Sequence, residues 1–216
     1  MTATLPVTGA ELAGTIAPQD QARLLGLPRG RAFEGEIAER AAAARSWYAA
    51  HGRPFVAWRR AALLGVEAPR VRLSSGAVLT SAALSRRLAA AQAHAVVVLA
   101  ASAGPEVAEE ADRLWKQERP DEAFFLDRFG ASVAERLVRF GAEAPARLGA
   151  AEGEMLLPHL SPGCSDWDLG DQHRLWALLF GEGEEQGPLR ILDSGGLFPR
   201  HSLLAGLGVT RRKGEP

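Results

Sequence analysis

The sequence predicts an α+β fold, a largely antiparallel, twisted sheet with flanking helices, and three observations carry that expectation. Segments of helix and strand character follow one another without a regular strand-helix-strand series, which disfavours a doubly wound parallel sheet. Two short extended segments joined by Ser-Ser-Gly have the pattern of a hairpin, the basic antiparallel unit. The run Ala95–Ser102, AVVVLAAS, is apolar and rich in β-branched residues, as a strand covered on both faces requires.

The elements follow in order. Residues 1 to about 20 are rich in Thr, Gly and Ala without a strong period, and are expected to form a flexible N-terminus. A helix is predicted from Glu34 to about Tyr48, with Ile37, Ala41, Ala44 and Tyr48 on one side; Gly52 and Pro54 end it. Residues 55–66 are extended, and Val71–Leu73 with Ala77–Leu79 form the hairpin. Thr80 and Ser81 offer N-cap hydroxyls to a short helix in which Leu84 and Leu88 share a face. After the strand 95–102, Pro105 suits a first helical position, and Glu106, Glu109 and Glu110 suit the positive end of the helix dipole. That helix runs to about Gln117, with Val107, Ala111, Leu114 and Trp115 as its apolar face. A second covers about Glu122 to Phe140, carrying Phe125, Phe129, Val133, Leu137 and Phe140, with Gly130 as a weak point. Beyond Gly141 come short segments: EMLLPHL, the loop SPGCSDWDLG, a helix DQHRLWALLF, then extended LRILD, GGLFPRH and SLLAGLGV.

The chain has 216 residues, 47% hydrophobic and 24% charged, the balance of a soluble globular protein. A chain of this length buries roughly 70% of its unfolded surface, so residues 21–210 are expected to form a single domain, with 211–216 a flexible C-terminus. The single cysteine, Cys164, excludes an internal disulfide and a Cys-only zinc site. Lys and Arg number 25 against 26 Asp and Glu, a net charge of -1, which argues against general binding to nucleic acid or to an anionic membrane. No run of 18 apolar residues and no signal-peptide pattern occurs, so the expected location is cytoplasmic.

Several patterns invite chemistry and have plainer readings. The five histidines lack zinc-ligand spacing. Asp166, Asp168 and Asp171 superficially suggest a calcium loop, but the glycine falls one place early and Ala177 stands where the closing glutamate belongs. Asp171 is better read as an acceptor for the N–H groups opening its helix. Gly181–Gly187 holds three glutamates and no lysine, which makes it a surface turn rather than a phosphate cradle, and Ser194-Gly195-Gly196 is a tight turn. Cys164 and His159 lie five residues apart around Pro162-Gly163, a conceivable thiolate-imidazole pair. Trp47, Trp58, Trp115 and Trp176 read as core, Trp167 as either core or ligand platform, and the pairs Arg59-Arg60 and Arg86-Arg87 as solvated faces.

The segment His159–Leu179, HLSPGCSDWDLGDQHRLWALL, resembles the signature of the activation domain of cobalamin-dependent methionine synthase, in which Arg-x-x-Pro-Gly-Tyr leads into a helix. Leu192–Gly206, LDSGGLFPRHSLLAG, is similar to that family's closing hairpin. Val96–Leu114 resembles its strand, Leu-Gly-x-Glu-Val turn and helix, and Phe125–Leu137 its next helix. The match runs in order over about Ala22 to Gly208.

The resemblance implies a methionine synthase activation domain-like fold that binds S-adenosylmethionine. In the family that domain donates a methyl group to the cobalt of an inactivated cobalamin while a reductant, usually flavodoxin, supplies an electron. Carried over by position, Ser161, Pro162, Gly163 and Cys164 form the loop on the ligand, His159 stands where the family has its arginine, and Glu135 matches a helix glutamate facing the ligand. His159 lacks the two-pronged fork of an arginine, and Cys164 lacks the ring and phenol of the family's tyrosine, so weaker ligand binding is implied. With the length of one domain, the chain is expected to meet cobalamin only through a partner, a cobalamin-carrying methyltransferase or corrinoid protein, as an accessory domain rather than a complete enzyme. The alternative is a non-catalytic binding module of the same fold that docks on a corrinoid protein or binds another adenosyl ligand. A cysteine-dependent enzyme using Cys164 and His159 is a third possibility.

Overall fold

The computed structural model describes residues 1–28, 33–143, 145–181 and 188–211. Its centre is the predicted strand β5 (Ala95–Ser102), all eight residues of which are buried. β5 pairs antiparallel along its whole length with β2 (Phe55–Glu67) on one side and β9 (Ser202–Arg211) on the other. The far half of β2 continues into β3 (Arg70–Leu73) and β4 (Val78–Thr80), the predicted hairpin, while its near half pairs with β1 (Ala3–Leu5). β6 (Glu154–Leu156) closes the other edge on β9. Every pairing is antiparallel, as the sequence predicted. A two-residue ladder, β7 (Arg190–Ile191) with β8 (Leu197–Phe198), stands apart.

Side chains alternate across a strand, so β5 feeds two cores. Ala95, Val97, Leu99 and Ala101 pack with α1 (Gly9–Thr15), α3 (Gly35–His51), α5 (Glu106–Lys116) and α6 (Pro120–Glu143). Val96, Val98 and Ala100 pack with α4 (Ala82–Ala90), α7 (Asp171–Phe180) and Trp167. Each buried leucine or valine contributes about 1.5–3 kcal/mol relative to its exposed state, and the continuous apolar run leaves β5 no solvent-tolerant side.

The N-terminal segment, expected from its sequence to be flexible, takes up β1 and α1. Thr8 accepts from the N–H of Glu11 and Glu11 reciprocates in a capping box; Leu12, Ala13 and Ile16 are buried. Arg45 of α3 donates to the carbonyls of Ala13 and Ile16 at 2.7 and 2.6 Å, which satisfies the end of α1. The segment's apolar residues are too sparse to show a period, yet Leu5, Val7, Leu12, Ala13 and Ile16 meet the core. A short helix α2 (Pro18–Leu24) follows. The end of the C-terminus, residues 212–216, and most of the Gly181–Gly187 turn lie outside the described residues.

Other side chains also differ from expectation. Ile37 is exposed although Ala41, Ala44 and Tyr48 on the same helix are buried. Trp115, predicted as core, is 57% exposed because α5 buries Val107, Ala111 and Leu114, and the next position turns about 100° away. Gly130 sits within the unbroken α6 for a steric reason: a Cβ there would stand 2.6 Å from the His201 ring. His201 donates to Asp127 of the same helix at 3.1 Å, which holds the Asp127 carboxyl below its usual range.

The paired arginines are not simply solvated. Arg59 donates to the carbonyl of Leu178, and Arg60 makes two 2.7 Å bonds to Glu154. His94 and the Ala151 N–H donate to the same carboxylate at 2.7 Å, so the Arg60 bonds above all, with the others, hold Glu154 well below the ordinary carboxylate range. Such a depressed group stabilises the fold above its unfolded pKa and loses that contribution as pH falls through its folded one. Glu154→Gln is therefore expected to lower the free energy of unfolding by about 2 kcal/mol at pH 7, with a smaller deficit at pH 3, in urea titrations at both pH values.

Candidate functional site

The loop that carries the predicted ligand residues is laid along β9. Leu157 donates to Gly208, and Leu160 and Gly206 exchange two backbone bonds at 3.0 and 2.8 Å, so the chain enters the loop already fixed to the sheet. Pro162 and Gly163 then occupy the middle of a tight turn closed by the Cys164 N–H on the Ser161 carbonyl at 3.1 Å. Gly163 has φ +85°, which glycine adopts freely and which follows a proline in a type II turn. The Gly163 N–H donates to Trp167 at 2.9 Å and the Trp167 N–H to Cys164 at 3.2 Å, closing a second turn over the first. Pro162 is buried, while Gly163 and Cys164 are exposed.

The two turns are anchored through Trp167, which is 2% exposed and belongs to the core. Its Nε1 donates at 2.8 Å to Asp171 Oδ2, which also accepts the Thr80 N–H at 2.7 Å; Asp171 Oδ1 meets Arg174. The predicted role of Asp171 as the cap of its own helix is thereby corrected. Asp171 is the first residue of α7, and its fully buried carboxylate serves the chain entering α4 instead. Asp166 completes that service: it accepts from the Ala83 N–H at 2.7 Å and from the N-cap Ser81 hydroxyl at 3.1 Å, and these bonds lower its pKa. Asp168 turns to the Gly170 N–H at 2.7 Å. The three carboxylates thus point to different partners rather than to a common centre.

His159 precedes the turn and is exposed. Partial desolvation of the imidazole by the surrounding chain lowers its pKa, the charge of Glu135 opposes this, and those of Arg139 and Arg87 reinforce it. The structure therefore brings His159 and Glu135, far apart in sequence, within electrostatic reach. Glu135 lies on α6, 3.2 Å from Arg23 and 3.3 Å from Arg139. Arg87 donates to the carbonyl of Pro158 at 2.9 Å, fixing the start of the loop. Sequence reasoning did not single out Arg139; its one signal was its place one helical turn after Glu135. Among the described residues no hydrogen bond joins Cys164 to His159. A cavity of about 680 Å³ beside Gln92, His94 and Met155 shares none of these residues.

No protein-family profile matches this sequence, and no curated protein does. The fold is similar to a solved structure described as the crystal structure of the MetH reactivation domain bound to AdoHcy, with a TM-score of 0.72 over 100% of this chain and 80% of that one. The likeness is one of fold. At 12% identity it carries the predicted architecture, a curled antiparallel sheet with flanking helices, and leaves the site to be argued from this chain's own residues. No helix among the described residues is long and apolar enough to cross a membrane.

Removing the Asp171 carboxylate leaves the buried Trp167 indole N–H, and the Thr80 N–H beside it, without an acceptor. Asp171→Ala is expected to lower the unfolding free energy by about 3 kcal/mol, and Trp167→Phe by about 1–2 kcal/mol because one donor and its bond vanish together. Chemical denaturation of the two variants measures both.

Proposed function

We propose that this chain binds S-adenosylmethionine where the Ser161–Cys164 turn faces α6, and supports reductive methylation of cobalamin held by a separate methyltransferase or corrinoid protein. The observation that carries the reading is the fold-wide likeness to a reactivation domain bound to AdoHcy. It is met on this chain by a Pro-Gly turn with exposed backbone, and by a helix α6 that carries the mixed charges of Glu135 and Arg139. AdoHcy is what remains of S-adenosylmethionine after its methyl group has left, so one site suits both.

In this reading Ser161, Pro162, Gly163 and Cys164 approach the ligand through backbone, which glycine permits at close range. Glu135 receives the ligand's ammonium group. His159 offers a single ring N–H towards its carboxylate. S-adenosylmethionine supplies an electrophilic methyl group, and a flavodoxin-like reductant supplies the electron that the partner's cobalt requires. This chain's own part is to bind the donor, orient it and present it to the partner; the cobalamin is held on the partner's side.

One observation favours a second reading. The imidazole of His159 is held below its usual pKa, which weakens its attraction for a carboxylate relative to a guanidinium. A module of this kind would dock on a corrinoid protein, or hold another adenosyl ligand, without supporting methyl transfer.

Calorimetric titration at pH 7.5 separates the two. Wild type is expected to bind S-adenosylmethionine, and the His159→Arg, Cys164→Tyr double variant to bind it about tenfold more tightly. Wild type added with S-adenosylmethionine and reduced flavodoxin is expected to restore turnover of an oxidatively inactivated cobalamin methyltransferase. Binding without restored turnover, or binding by the double variant alone, supports the second reading. Binding by neither protein overturns the adenosyl-ligand assignment.

A further inference from the structure

Helix α7 carries near its start a polar residue that its apolar face does not explain. Gln172 shares that face with the buried Leu175, Trp176 and Leu179, is itself 7% exposed, and its Oε1 is buried without a hydrogen-bond partner. An orphan acceptor inside a protein is costly, and an aliphatic residue of similar size would avoid the cost. Gln172 lines a cavity of about 340 Å³ between the start of α7 and the turn that joins β7 to β8.

Leu169, Ile191 and Leu192 give this cavity apolar walls, Asp193 and Ser194 add a carboxylate and a hydroxyl, and His173 completes the lining. Gly195, with φ +77°, lets the hairpin turn close on Leu169, whose Cδ2 would lie 2.4 Å from a Cβ at that position. Among the described residues Asp193 has no hydrogen bond and no ion pair. The helix terminus offers little to an anion. The N–H groups of Asp171, Gln172 and His173 are already taken by the carbonyls of Asp168, Leu169 and Gly170, at 3.2, 3.0 and 3.3 Å. Gln172 Oε1 and the Asp193 carboxylate, the groups without partners, are both acceptors, and the cavity sets them among aliphatic side chains.

That combination selects a cation on an aliphatic stem. An ammonium is a compact, strongly hydrated charge that is costly to bring beside leucines. A guanidinium is more weakly hydrated, and its planar fork of five N–H donors suits an amide oxygen and a carboxylate together. The surface next to the cavity extends the argument. Ile191 and Leu197 pair across the hairpin and pack on the core, so strand alternation turns Arg190, Leu192 and Phe198 outward. Leu169, Leu192 and Phe198 are all exposed, and the Arg190 guanidinium lies 4.8 Å from the Phe198 ring centre. An outward face of Phe, Leu and Arg beside an acceptor-lined cavity has the composition of a protein interface.

We propose that this cavity is a socket for an arginine side chain of a protein partner, which docks on the outer face of the β7–β8 hairpin and places its guanidinium on Gln172 and Asp193. The socket shares no residue with the adenosyl-ligand site and does not depend on that reading.

The test is an NMR titration of the full chain with N-acetyl-arginine N-methylamide, read at the Gln172 carboxamide and the Leu169 and Leu192 methyl groups. The matching citrulline compound keeps the shape and loses the charge. The arginine probe is expected to bind saturably and about tenfold more tightly than the citrulline probe. Gln172→Leu is expected to weaken the arginine probe about fivefold and to raise the urea midpoint of unfolding, because the orphan acceptor is gone. Asp193→Asn is expected to weaken it to a similar degree with the midpoint unchanged. No saturable binding by wild type, equal binding of the two probes, or unchanged affinity in both variants overturns the inference. Binding of butylguanidine with exclusion of the blocked arginine overturns the protein partner, since the cavity would then admit only a free small molecule.

Discussion

β5 is the constraint on which the other layers depend. Its eight residues are buried on both faces, so its backbone N–H and C=O groups must find partners within the protein, and β2 and β9 provide them along its whole length. Two buried faces then demand two covers. The chain supplies α1, α3, α5 and α6 on one side and α4 and α7 on the other, which makes the protein a sheet between two cores rather than a sheet with one wet face. The N-terminal segment is drawn into the same requirement, since Leu12, Ala13 and Ile16 complete one of those covers.

The second of these cores determines where the ligand loop lies. Trp167 enters it beside α7, and the buried Asp171 carboxylate ties the indole to the chain that opens α4. A buried carboxylate is tolerated only when its lone pairs are used, and here Thr80, Trp167 and Arg174 use them. The Pro162-Gly163 turn therefore sits on a rigid footing while Gly163 and Cys164 face outward. Rigidity beneath with accessible backbone above is the condition a binding loop needs.

On α6 the electrostatics are looser. Glu135, Arg139 and Arg23 make half-exposed pairs whose geometry is adjustable, in contrast to the tight set around Glu154 at the edge of the sheet. Four donors within 2.7 Å hold Glu154, a stable join with nothing left to offer a ligand. The contrast separates a structural carboxylate from one able to exchange its partner.

The sequence alone determined the antiparallel α+β class, the strand at 95–102, the hairpin at 71–79, the helix at 171–180 and the turn at Pro162-Gly163. Each is a local pattern: a β-branched run, an alternation, a helical period, a residue pair that presets φ. Tertiary structure alone decided that Trp167 is core and Trp115 is not, that Asp171 serves another helix than its own, that the sparse N-terminal segment packs, and that Arg23 of α2 pairs with Glu135 of α6. These depend on which side chains meet across long stretches of chain. A single polar residue carries no period to announce its partner, and a large apolar one changes from buried to exposed with one step around a helix.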